Sequence, residues 1–176
     1  MQGDPASRLT SAKGYPGLFS LVKALVEARL GASRAGIMLG LQRLGLSPSG
    51  FLGGYFVTGS NAVILNRDVL DHVKITAPEH HNAYAFHVLL HEYLHTLGYF
   101  DETHVRTLAL EISLDAFGED HPATWIAQAM TPGPRPPGVP ELFRKLTMPP
   151  FGWKPQRAGP IEYVPDFDLD ASPYIA

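Results

Sequence analysis

His91-Glu92-Tyr93-Leu94-His95 is the segment of this chain whose residue types and spacing point to chemistry. Residues four apart on a helix lie on one face, one turn above the other, so two imidazoles at this spacing can reach one metal ion. Glu92 follows the first histidine and projects beside the metal position, where it can hold a water and accept its proton. That is the arrangement of metal-assisted hydrolysis. Zinc suits it, because imidazole and carboxylate are zinc ligands and three protein ligands leave one position open. With eight histidines in 176 residues, chance supplies the motif only about 0.016 times per chain. The bland alternative is a helix carrying two solvated or core-satisfied histidines.

A third ligand must come from elsewhere, and a chain without cysteine can offer only His, Asp or Glu. Glu111 lies on the next predicted helix and begins Glu111-x-x-x-Asp115, which sets two carboxylates on one face. Glu111 would bind the metal and Asp115 would orient one of the histidines. Two antiparallel helices joined at 98–100 would return Glu111 toward His91 and His95. Asp101 and Glu102 are rivals for the ligand position, and helix capping is the competing use of both. His87 extends the histidine stripe, but a ligand there would stand about 12 Å from His95 along one straight helix. His104, His121, Tyr93 and Tyr99 are candidates for stabilising an oxyanion. Arg106 is expected either to pair with an acidic neighbour or to be a plain surface cation.

The elements that must position these residues can be read from periodicity. Leu18, Leu21, Val22, Leu25, Val26 and Leu30 recur at helical spacing, predicting an amphipathic helix over 17–30. Ser33 is placed to cap a second helix running to about Leu44. Tyr55-Phe56-Val57 and Ala62-Val63-Ile64-Leu65 flank the turn Thr58-Gly59-Ser60-Asn61 and predict a β-hairpin. A short helix follows near 67–73. Pro78 opens a long helix that ends at Leu97 before Gly98, Asp101 caps a helix over 102–117 closed by Gly118, and a last helix covers 122–130.

Residues 1–130 therefore form one α+β domain. Residues 131–176 hold eleven of the sixteen prolines, which excludes long helices, disfavours strand pairing and predicts an extended tail. Only 141–146 could form a turn of helix. The net charge of −3 argues against a protein that coats nucleic acid or an anionic membrane. Nothing approaches the ~18 consecutive apolar residues of a membrane span. The polar stretch 1–11 has no signal-peptide core, so a cytoplasmic location is expected.

His91-Glu92-x-x-His95 with Glu111-x-x-x-Asp115 resembles the gluzincin clan of zinc metallopeptidases, and Glu111-Ile-Ser-Leu-Asp115-Ala-Phe-Gly118 is similar to the glutamate helix of its thermolysin-like members. More closely, His91-Glu92-x-x-His95-x-x-Gly98-x-x-Asp101-Glu102-x-x-Val105-Arg106 resembles the minigluzincins; the likeness covers 63–122. It implies a small sheet packed on an active-site helix and a glutamate helix. It also implies an edge strand, here Asn61-Ala62-Val63-Ile64, that binds extended peptide by strand addition. Some members of the family are latent, with a terminal segment lying in the cleft. The spacing to Asp101 also resembles metzincins with aspartate as third ligand.

The expected function is thus a zinc endopeptidase acting on peptide or unfolded protein, with one catalytic ion and Glu92 as general base. Its own C-terminal tail, with Glu162, Asp166, Asp168 and Asp170, is a candidate inhibitor that would make the chain a zymogen. The alternative is a catalytically silent, zinc-containing binding or regulatory module.

Overall fold

The computed structural model describes residues 3–46, 51–133 and 158–168. Its centre is a helix that the sequence makes apolar on nearly every side. Helix α4 (His81–Thr96) buries twelve of its sixteen residues, and such a helix is stable only when other elements surround it. It touches α2 (Gly14–Leu30), α3 (Arg67–Thr76), α5 (Glu102–Phe117) and α6 (Pro122–Met130). Phe19 of α2 meets Tyr93 of α4 edge-on at 5.2 Å between ring centres, and Phe86 meets Phe117 of α5 in the same way at 5.3 Å.

A four-stranded mixed sheet covers the remaining side, making the fold α+β as expected. The strands β1 (Met38–Gln42), β2 (Gly54–Phe56), β3 (Ala62–Asn66) and β4 (Glu162–Tyr163) lie in the order β2-β3-β1-β4. β2 and β3 form the expected hairpin, with Tyr55 opposite Ile64. β1 runs parallel to β3 with Gly40 opposite Ile64, and β4 runs antiparallel to β1 with Tyr163 opposite Gly40. A Cβ at position 40 would sit 2.5 Å from Ile161 and 2.6 Å from Ile64, so both side chains would have to shift to admit any residue but glycine. The central helix begins with a single 3-10 turn, Pro78–His80.

Four expectations need correction. The helix expected between Ser33 and Leu44 is instead strand β1. Ile37 and Leu39 are buried while Met38 is half exposed, an alternation of period two. Gly36 has φ +76, outside helical conformation, and Gly40 lowers helix propensity further.

The stretch 1–11, to which the sequence reading gave no helix, carries α1 (Pro5–Ser11). Asp4 accepts from the Ser7 amide and Pro5 stands at the first helical position.

The expected substrate-binding strand at 61–64 is not an edge. β3 is paired on both sides and Ala62–Leu65 is buried, whereas among the described residues β2 and β4 are the edge strands.

The fourth correction concerns the tail. Its described part does pair as a strand, because Ile161-Glu162-Tyr163-Val164 is a proline-free run between Pro160 and Pro165 with all its amides available. The Val164 amide donates to the Leu39 carbonyl at 2.8 Å, Phe167 stacks on Phe19 at 4.4 Å, and Asp168 pairs with Lys23 at 2.8 Å. Glu162 pairs with Arg67. Neither carboxylate reaches toward the histidines, since β4 occupies the sheet edge opposite β2. The short helix expected at 141–146 and the carboxylate of Asp170 lie outside the described residues.

Candidate metal centre

Local sequence places the first two groups. One turn of α4 separates His91 from His95, so their rings lie 4.9 Å apart and their Nε2 atoms 3.2 Å apart. Helix α4 stops at Gly98, whose φ of +97 reverses the chain. That reversal brings the Tyr99 carbonyl within 2.7 Å of His95 Nδ1. A carbonyl can only accept, so Nδ1 carries the proton and Nε2 presents a lone pair, the tautomer a metal ligand needs.

The third group comes from the start of α5. Asp101 is its N-cap, accepting from the His104 amide at 2.7 Å. The cap fixes Glu102 as the first helical residue, and its carboxylate turns back to the histidines. Oε1 lies 3.1 Å from His95 Nε2 and Oε2 lies 3.4 Å from His91 Nε2. The ligand atoms of His91, His95 and Glu102 all fall within 4.8 Å of one another, so this group could hold a metal ion. Tetrahedral zinc with ligands at about 2.0–2.1 Å spaces them about 3.3 Å apart, close to the separations found here. Two imidazole nitrogens and a carboxylate facing one another are stabilised by a proton or a cation between them. The donor set and its spacing therefore fit a divalent ion.

Glu111 does not join them. Nine residues beyond Glu102 at 3.6 per turn is two and a half turns, about 13 Å along α5 and on its opposite face. There it receives a hydrogen bond from Arg29 of α2 at 2.9 Å, with Asp115 3.7 Å from the same guanidinium. Glu102 thus occupies the position expected of Glu111, Asp101 caps the helix, and Asp115 is held at the α2–α5 surface rather than behind a histidine.

A cleft of about 650 Å³ opens beside the three groups, walled by β2, the preceding stretch 51–53, α4, α5 and Met130. Two glycines let this wall approach α4: a Cβ at Gly54 would lie 3.2 Å from Val88, as well as 2.8 Å from the Ile64 carbonyl oxygen of β3, and one at Gly53 would lie 3.2 Å from the Tyr84 hydroxyl. Asn66, fully buried, fixes the same wall by donating to the Leu52 carbonyl at 2.8 Å.

Glu92 faces this cleft and is only 5% exposed. No hydrogen-bond donor or cation among the described residues partners it. Burial first, and the Glu102 charge second, push its carboxyl up to about 8. Burial likewise pushes His91 down to about 4 against the pull of Glu102. His87, expected to be partly exposed or to support the ligands from behind, is 3% exposed and lines the cleft. Burial holds it neutral, with its pKa down to about 3, and its Nδ1 has no partner.

The four candidate oxyanion donors lie elsewhere. The Tyr93 hydroxyl accepts from the Arg34 amide at 2.7 Å and Tyr99 packs against His104. His121 accepts from the Ala123 amide as the cap of α6. Sequence reasoning missed β2, Phe100 and Arg106 as cleft walls; Arg106, one turn after Glu102 on the same face of α5, was the one with a spacing signal.

No helix among the described residues is long and apolar enough to cross a membrane. Comparison with protein-family models, with curated proteins and with solved structures finds no match to this chain.

Proposed function

We propose that this chain is a zinc-dependent peptidase in which His91, His95 and Glu102 would hold the ion and Glu92 is the general base. One observation carries the proposal: two imidazole nitrogens and a carboxylate converge beside a buried Glu92, partnerless among the described residues, on the wall of an open cleft. When bound, zinc supplies a Lewis acid that acidifies water and polarises a carbonyl.

The chain's own groups account for the rest. Glu92 takes a proton from the attacking water and returns it to the departing amine, a role favoured by a carboxyl whose pKa lies near neutrality. The His95 Nδ1–H bond to Tyr99 keeps that ring in one orientation and tautomer. The unpaired edge of β2 borders the cleft and can accept an extended peptide as an added strand. The apolar walls exclude water from the segment bound there.

The test is hydrolysis of casein or a quenched fluorescent peptide by the full chain with stoichiometric zinc. Activity should appear with zinc, vanish with chelator and vanish in Glu92→Gln while bound zinc is retained. A zinc-loaded wild-type chain that cleaves no peptide would sink the proposal and leave a non-catalytic zinc module.

A further inference from the structure

Peptide hydrolysis builds a full negative charge on the substrate's carbonyl oxygen, and the residues of the cleft differ in their ability to meet it. The Tyr55 hydroxyl is committed to Gln42 at 2.7 Å. His87 is neutral and almost wholly buried. Among the described residues lining the cleft, Arg106 is the one lysine or arginine.

Its placement follows from local structure. Arg106 stands one turn after Glu102 on the same face of α5, and its backbone carbonyl accepts from Thr131 Oγ1 at 3.3 Å, tying that turn to the end of α6. Its side chain is 42% exposed and meets Glu102 only through Nε, 3.5 Å from Oε2. That Oε2 is itself 3.4 Å from His91 Nε2. The guanidinium is close enough to lower the proton affinity of both His87 and His91. Its two Nη groups have no partner among the described residues.

Resting on the peptidase reading, we propose that Arg106 is a catalytic residue that donates hydrogen bonds to the oxyanion formed from the scissile carbonyl. As the water oxygen bonds to the carbonyl carbon, the C=O electron pair moves onto the carbonyl oxygen and Glu92 takes the water's proton. When the C–N bond breaks, that pair returns to remake C=O and the amine leaves with the proton from Glu92. Arg106 neither gains nor loses a proton, since guanidinium stays charged throughout. Its fixed fork of donors stabilises the charge only while it exists.

The test uses the zinc-loaded full chain, with Arg106→Gln and Arg106→Lys compared with wild type. Three quantities are measured: zinc content, kcat and KM on a peptide amidated at its C-terminus, and calorimetric affinity for a phosphonamidate peptide, a stable mimic of the anionic tetrahedral state. The expected result for Arg106→Gln is full zinc and an almost unchanged KM. Its kcat should fall about 100- to 1000-fold, with phosphonamidate affinity reduced by a similar factor. Arg106→Lys should recover part of both.

Unchanged kcat or unchanged phosphonamidate affinity in Arg106→Gln would overturn the assignment. Loss of zinc in that variant would also overturn it, making Arg106 a positioning residue for Glu102. So would a defect seen only on peptides with a free C-terminal carboxylate, because Arg106 would then read the substrate terminus. If wild type itself neither cleaves peptide nor binds the phosphonamidate, the peptidase reading fails and the role of Arg106 falls with it. Failure confined to the variants removes Arg106 alone.

Discussion

Two carboxylates on opposite sides of the molecule are almost equally hidden from water and are treated in opposite ways. Asp168, at the β4 edge, has a side chain 4% exposed, yet Lys23 lies 2.8 Å away and the Ile37 amide donates to it at 3.2 Å. Glu92, beside the cleft, is 5% exposed and has neither cation nor donor among the described residues. A buried carboxylate is costly unless paired, so the first arrangement stabilises a fold and the second destabilises one. The difference separates a staple from a reactive group. At the tail, charge, strand pairing and the stacking of Phe167 on Phe19 all hold the chain in place. At the cleft, polar atoms converge on space.

This contrast can be broken experimentally, beginning with the largest expected effect. Glu92→Gln should lower kcat by about 100- to 10,000-fold in a steady-state peptidase assay and leave the chain folded. Asp168→Asn should do the reverse, costing about 1.5–3 kcal/mol of stability in urea unfolding by removing the charge that pairs with Lys23, with kcat unaltered.

Zinc at 100 times its Kd should raise the unfolding free energy by about 2.7 kcal/mol. His95→Ala should abolish this increment, while Glu111→Ala should keep it. An increment lost in Glu111→Ala but kept in Glu102→Ala would restore the ligand set expected from the sequence.

The contribution of Glu92 to the pH dependence of the metal-free chain has a definite sign. The Glu92 carboxyl is raised from 4.5 to about 8 in the folded state by burial. Between those values Glu92 holds its proton in the folded state and not in the unfolded one, so its contribution to stability falls as pH rises. That contribution is fully present below about pH 4.5 and is lost through pH 8. His87 and His91, whose pKa values burial lowers, contribute in the opposite direction below about pH 6.5. Glu92→Gln should remove the falling contribution, so that stability rises more steeply or falls less with pH than in wild type in denaturant titrations between pH 5 and 8. The smallest effect belongs to Arg29→Ala, which breaks the exposed pairs to Glu111 and Asp115. It should leave the urea-unfolding midpoint almost unchanged, because solvent screens exposed pairs, and leave zinc content untouched.

Elements whose signals are local were legible from the sequence. The 17–30 helix, the hairpin around Thr58–Asn61 and the helices carrying His91 and Glu102 follow from periodicity, capping and glycine placement. Segment 33–44 misled because Ile37, Met38 and Leu41 fit helical spacing, while Ile37, Leu39 and Leu41 fit the alternation that β1 uses. The order β2-β3-β1-β4 was not legible either. Which strand lies at an edge depends on partners distant in the chain, and β3 becomes central only because β1 arrives from the preceding segment.

What the sequence determined by itself is a helix with two imidazoles one turn apart, a carboxylate beside them, and a capped helix starting just after a glycine reversal. These depend on dihedral preferences and on a repeat of 3.6 residues, which act within a few positions. Tertiary structure decided between Glu102 and Glu111. Their nine-residue separation puts them on opposite faces of one helix, and only the packing of α5 against α4 and α2 decides which face meets the histidines and which meets Arg29. It also decided that Glu92 would be buried without a partner among the described residues, because burial is set by every element around a side chain rather than by its neighbours in sequence.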